Sequence, residues 1–139
     1  MVEPKEAVIL LGHGSRIPGA GEGMESVAAR MRERLGGEII EICYMSKLGP
    51  HFPEVFEKCV ALGAKKIIVI PYFLHSGLHI LQDIPEILEG KARQFPDVEL
   101  ILGNNLGYDD CLVDLVLKRL AESKSLPDVR QGKPLPIAT

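Results

Sequence analysis

The chain has 139 residues, 46 % hydrophobic and 25 % charged, which fits one globular domain large enough to bury a real core. A net charge of −3, from 16 basic residues scattered among 19 acidic ones, argues against a nucleic-acid surface. No apolar run approaches the roughly 20 residues that span a bilayer, and the opening MVEPKE lacks the basic lead and apolar core of a secretory signal.

In chain order, the first element is an apolar run, AVILLG, that ends on His13 between Gly12 and Gly14 and continues into Ser15 and Arg16. It reads as a buried strand that delivers His13 to a tight turn, where backbone and imidazole can both approach a ligand. Ile17–Gly23 is a turn with Pro18 and three glycines. Met24, Val27, Ala28, Met31 and Leu35 recur at helical spacing, which predicts a helix over 22–35 that stops at Gly36 and Gly37. The β-branched EIIEICY, Glu38–Tyr44, is the second strand, and the loop after it carries Lys47.

Phe52, Val55, Phe56, Cys59 and Val60 outline a second amphipathic helix, with Pro53 tolerated in its first turn and Gly63 closing it. Ala64–Phe73 is a third strand whose unbroken apolar character suits a position covered on both faces. Its continuation, LHSGLH, holds His75, Ser76, Gly77 and His79. Asp83 and Glu86 have the D-x-x-E spacing of a capping box, which predicts that the third helix starts at Asp83 and buries Ile84, Ile87 and Leu88. Val98–Leu102 is the fourth strand, and Leu112, Leu115, Val116 and Leu120 mark a fourth helix. Residues 1–122 are thus expected to form one domain, and 123–139, with three prolines and no periodicity, a flexible tail.

Strict βαβαβαβα alternation implies an α/β fold: a mostly parallel four-stranded sheet with helices on both faces. Ligands of such sheets bind beyond the carboxyl ends of the strands, where the winding reverses. With strand order 2-1-3-4, that crevice lies between strands one and three. Strands about 4.8 Å apart then bring the His13 and His79 loops to one hollow.

Several signatures are missing. The turn at Gly12 lacks the third glycine of a dinucleotide fingerprint, and there is neither a phosphate-loop Gly-Lys-Ser/Thr nor a G-x-S-x-G elbow. Ser15 is two residues from His13, a poor arrangement for proton transfer, and no orienting carboxylate is evident. His75 and His79 have helical metal-ligand spacing, but Gly77 intervenes and no H-E-x-x-H glutamate is present. His51, at a helix start, reads as an exposed or capping residue. Cys43, Cys59 and Cys111 are odd in number and widely spaced, which suggests reduced thiols in a cytoplasmic protein. Imidazole binds a divalent metal when neutral and accepts a proton near physiological pH, so a pair at one crevice points to metal chemistry.

GHGSR after the first strand, together with PYFLHSGLHILQDIP after the third, resembles the two signature segments of the class II chelatases, and of their small single-domain sirohydrochlorin cobaltochelatase branch in particular. The similarity runs in order and spacing to about Ala121. It implies the three-layer chelatase sandwich and insertion of Co²⁺ into sirohydrochlorin with release of two protons, with Fe²⁺ or Ni²⁺ as alternative metals and no organic cofactor. It also implies that the paired family histidines correspond to His13 and His79, as metal ligands and proton acceptors. Larger relatives carry two such halves, so a cytoplasmic homodimer is implied, with the tetrapyrrole in the cleft between protomers. Gly14, Ser15, Arg16, Lys47, Ser76 and Gly77 are then expected to bind the eight-carboxylate substrate, and His75, Asp83 and Glu86 are possible supporting residues. The other classes left open are a metal or tetrapyrrole carrier without turnover and a phosphate-binding α/β domain that uses the Gly-rich turn at the end of strand one.

Overall fold

Eight segments of alternating β-branched and amphipathic character fold as β1 (Lys5–Gly12), α1 (Glu22–Leu35), β2 (Ile39–Tyr44), α2 (Phe52–Ala61), β3 (Ala64–Pro71), α3 (Leu78–Gln94), β4 (Glu99–Leu102) and α4 (Asp110–Ser123). This computed structural model describes residues 5–14, 22–75 and 77–131, apart from the side chains of residues 22 and 78–81. They fall into two units, one reaching Gly107 and the other beginning at Tyr108.

In the first unit the sheet has the order β2-β1-β3-β4 and every pairing is parallel. This is the order expected from the sequence. The central pairing sets Leu11 opposite Pro71, so β1 and β3 end level at one edge of the sheet. Right-handed crossovers dictate the layers: the step from β1 to β2 runs one way along the sheet, while the later two run the other. Accordingly α1 packs on β2 and β1, while α2, on β2, β3 and β1, and α3, on β4, pack against each other.

Side-chain alternation divides the core. Ala7, Ile9 and Leu11 join Cys43, Ile67 and Val69 under Phe52, Phe56 and Cys59 of α2 and Ile84 and Leu88 of α3. Leu10 and Ile40 meet Met24 and Ala28 of α1 on the other face. Arg32 closes this second layer by donating from Nη2 and Nε to the Ile40 carbonyl, at 2.6 and 3.1 Å.

Helix α3 corrects the capping-box expectation. It begins at Leu78, with Gly77 in extended conformation as its N-cap, so Asp83 and Glu86 lie inside the helix rather than at its start. Pro85 lies inside it too. A proline removes its own N–H bond and crowds the carbonyl four residues earlier, yet its fixed φ is helical, and α3 runs through it. The D-x-x-E spacing reflects helix periodicity here and not a cap.

In the second unit, Asp109 caps α4 by accepting from the Cys111 N–H at 3.1 Å. Beyond the helix the chain makes short turns, and the Arg130 guanidinium donates to both carboxylate oxygens of Asp128.

Candidate functional site

The carboxyl edge of the sheet is held together by backbone hydrogen bonds that continue past the strands. Gly12 and His13 carbonyls accept from the N–H groups of Met45 and Ser46, each at 2.9 Å, and the Leu11 carbonyl accepts from Tyr72 at 2.8 Å. The segment bearing His13 is therefore clamped between the exits of β2 and β3. His13 is exposed, and its ring meets Phe73 edge-on, with centroids 6.4 Å apart.

Gly14 makes the clamp possible. Its φ is +84°, in the left-handed region, and a Cβ there would collide with Ser46 Oγ and lie 2.9 Å from Ser46 Cβ. The glycine thus serves both the turn and the close approach of the β2 loop.

On the β3 side, His75 is exposed, three residues before α3, so it does not share a helix with His79. His79 is the second residue of α3, which follows the strand paired directly to β1. The His79 side chain, and Ser15, Arg16 and Ser76 altogether, lie outside the described residues. Helical spacing places position 83 one turn on from position 79, and Glu86 is exposed on a later turn. Lys47 is exposed on the β2 loop, directly after Ser46.

His51 acts structurally, as the N-cap of α2. Its Nε2 lies 2.7 Å from the Ser46 carbonyl, and its backbone N–H donates to Glu54 Oε1 at 2.7 Å. It thus ties α2 to the loop that holds His13.

Sequence reading did not single out Ser46, Phe73 or Asn105. Asn105 Nδ2 donates to the Phe73 carbonyl at 3.3 Å, and the Gly107 N–H reaches the same oxygen at 3.2 Å. The β4 loop thereby braces the residue that packs on His13. Leu48, Leu74 and Leu106 are 50, 51 and 41 % exposed, one on each of the loops that follow β2, β3 and β4. Each offers apolar surface on a loop at the carboxyl end of its strand, the residue type that commonly lines small-molecule sites. Their only sequence signal was large apolar side chains inside turns.

Beneath the edge the environment is dry. Burial, and then the neighbouring Cys59, pushes the Cys43 thiol up to about 12. Burial, then Glu25 and Cys43, raises the Tyr44 hydroxyl. These groups stay protonated at neutral pH. Among the described residues, no group of three His, Cys, Asp or Glu side chains could hold a metal ion.

An open α/β sheet presents His13 at the carboxyl end of β1, beside the exit of β3, and comparison with known proteins gives this arrangement a family. The CbiX family matches residues 7–123, and this chain belongs to it. The chain is 37 % identical over 138 residues to a sirohydrochlorin cobaltochelatase of Methanococcus aeolicus, an alignment covering 82 % of this chain and 96 % of that one. It is also 30 % identical over 122 residues to a sirohydrochlorin ferrochelatase of Priestia megaterium, covering 88 % of this chain but 46 % of the relative. Among solved structures, the sirohydrochlorin chelatase SirB from Bacillus subtilis subspecies spizizenii, in complex with cobalt, superposes with a TM-score of 0.78 at 29 % identity. That match covers 85 % of this chain and 50 % of SirB, so the chain spans about half of the longer relatives.

Proposed function

We propose that this protein is a sirohydrochlorin cobaltochelatase, which inserts Co²⁺ into sirohydrochlorin and releases two protons. The observation that carries this reading is the level ending of β1 and β3, whose exits lead to His13 and to the α3 N-terminus with His79. Insertion requires that a divalent metal lose its water and that two pyrrole N–H groups lose their protons. A neutral imidazole can do either, as metal ligand or proton acceptor. His13 and His79 fill these roles, with no organic cofactor.

The flat macrocycle lies over the rim of Leu48, Leu74 and Leu106, with Gly14 and Gly77 allowing close approach. Its carboxylates are anchored by Lys47, Arg16, Ser15 and Ser76, while Asp83, Glu86 and His75 support the metal path. The working unit in this reading is a homodimer with the substrate between copies, in the cytoplasm; a family whose members include double-length chains, half of which this chain matches, supports the two-copy arrangement. Residues 1–122 form the functional domain of each copy in this reading.

Iron is the second reading, favoured by the ferrochelatase relative at 30 % identity. Imidazole accepts both ions, as it does Ni²⁺, so the ligand type does not choose between them. The test is anaerobic absorbance of sirohydrochlorin with catalytic amounts of protein and equimolar Co²⁺, Fe²⁺ and Ni²⁺. Cobalt product over many equivalents is expected. A spectral change that stops near one equivalent identifies a carrier, and predominance of iron product reassigns the metal.

A further inference from the structure

The loop from β2 to α2, residues 45–50, contains neither helix nor strand, yet it holds the turn that bears His13. Its grip is the Ser46 N–H on the His13 carbonyl, next to the Met45 N–H on the Gly12 carbonyl. Ser46 also fills the space that a Cβ on Gly14 would need. Such a loop can place His13 only if its own backbone is fixed. At its base the Tyr44 N–H donates to the Pro50 carbonyl at 2.9 Å, and within it Ser46 Oγ reaches the Leu48 carbonyl at 3.3 Å.

A side chain from outside the loop takes the Ser46 carbonyl. His51 Nε2 lies 2.7 Å from that oxygen. A carbonyl can only accept, so Nε2 carries the proton and donates. The imidazole is itself held by α2. The His51 N–H donates to Glu54 Oε1 at 2.7 Å, the His51 carbonyl accepts from the Val55 N–H at 3.2 Å, and Nδ1 lies 3.5 Å from the same Glu54 oxygen. A Cβ on Gly49 would sit 3.4 Å from Nδ1, so the loop folds back closely on the ring. Phe52, Val55, Phe56 and Cys59 anchor α2 in the core. A packed helix thus reaches through one ring to the peptide group joining Ser46 to Lys47.

Helix capping does not account for the choice of residue. Asn, Asp or Ser would cap α2 better, and none of them carries a donor as far from Cβ as Nε2. Nor is the ring free to take a metal, since Nε2 is engaged by a carbonyl and Nδ1 faces Glu54. Resting on the reading that His13 carries metal insertion, we propose that His51 is a positioning residue for that step. Its Nε2–H holds the Ser46 carbonyl, and through Ser46 the His13 turn, in the geometry that turnover requires.

Two variants of the full-length protein separate holding the loop from capping the helix. Gln carries its amide nitrogen as many bonds from Cβ as His carries Nε2, whereas Asn carries it one bond nearer but is a preferred N-cap. His51→Asn should keep or raise the thermal midpoint yet lower kcat for Co²⁺ insertion at least about 10-fold, while His51→Gln, at a lower midpoint, should keep kcat within about threefold of wild type. Amide exchange followed by NMR is a readout that needs no substrate. The Ser46 N–H should exchange at least about 10-fold faster in His51→Asn than in wild type or His51→Gln, with the Cys59 and Val60 amides of α2 unchanged. Turnover that follows the midpoint, with His51→Gln the slower enzyme, overturns the proposal, as does wild-type turnover or an unchanged Ser46 amide in His51→Asn. Wild-type protein that inserts no metal while the exchange pattern holds overturns the chelatase reading, and with it the step that His51 serves. Wild-type insertion matched by both variants overturns the positioning role alone.

Discussion

Gly14→Ala isolates the geometry that presents His13. The substitution puts an L-residue at φ +84° and drives its Cβ into the Ser46 hydroxyl, with Ser46 Cβ at 2.9 Å and Tyr44 Cβ at 3.1 Å. The left-handed backbone costs about 1–2 kcal/mol, and overpacking against Ser46 adds roughly 1–2 kcal/mol more. A total of about 2–4 kcal/mol lowers the thermal midpoint by roughly 8–16 °C in a domain of this size. Relief of the clash moves the turn, and a shift of about 1 Å at a reacting group can lower a rate roughly 100-fold. The double-mutant cycle separates the two contributions. With Ser46→Gly as the reference, Gly14→Ala should cost only the backbone part, about 1–2 kcal/mol. Urea unfolding gives the free energies and cobalt insertion gives the rate. Equal penalties in both backgrounds, or wild-type stability and turnover in Gly14→Ala, refute the reasoning.

Three further outcomes are expected. Phe56 is fully buried, with ring centroids 5.6 Å from Phe52 and 5.3 Å from Phe95, so Phe56→Ala should lose about 3–5 kcal/mol in urea unfolding, and a loss near zero contradicts the described core. Burial raises Cys43 to about 12 and, with Glu41 second, Cys59 to about 11. A thiol that stays protonated when folded but ionises when unfolded makes stability fall as pH rises above about 9. The stability difference between wild type and Cys43→Ala should accordingly drop by up to about 2 kcal/mol from pH 7 to pH 10.5; a pH-independent difference contradicts the dry environment. Cobalt insertion should slow as the pH is lowered through the range where imidazoles protonate, since a protonated ring neither ligates nor accepts a proton, and a flat rate from about pH 5 to 8 argues against histidine as the working base.

The sheet was legible because its signals are local. Unbroken apolar runs marked the inner strands, and α1 begins and ends at residues 22 and 35, where the Met24–Leu35 periodicity and Gly36 place it. The parallel order followed from alternation and crossover handedness. The start of α3 was not legible, because D-x-x-E has the same spacing within a helix as at its cap. His13 stood out through its two flanking glycines. Ser46, Phe73 and Asn105 did not, because what they do depends on contacts with residues 32 or 33 positions away: Ser46 with His13, and Asn105 with Phe73. Such contacts exist only once β2, β3 and β4 are aligned.

In the proposed function, His13 and His79 together carry metal insertion at the β1–β3 edge. The most direct measurement is the steady-state rate of Co²⁺ insertion into sirohydrochlorin by His13→Ala and His79→Ala, with the thermal midpoint recorded in parallel. Each variant should keep a midpoint close to that of the wild type, because position 13 is exposed and position 79 lies in the first turn of α3, while turnover falls by at least about 100-fold. Near-normal turnover in either folded variant contradicts the account.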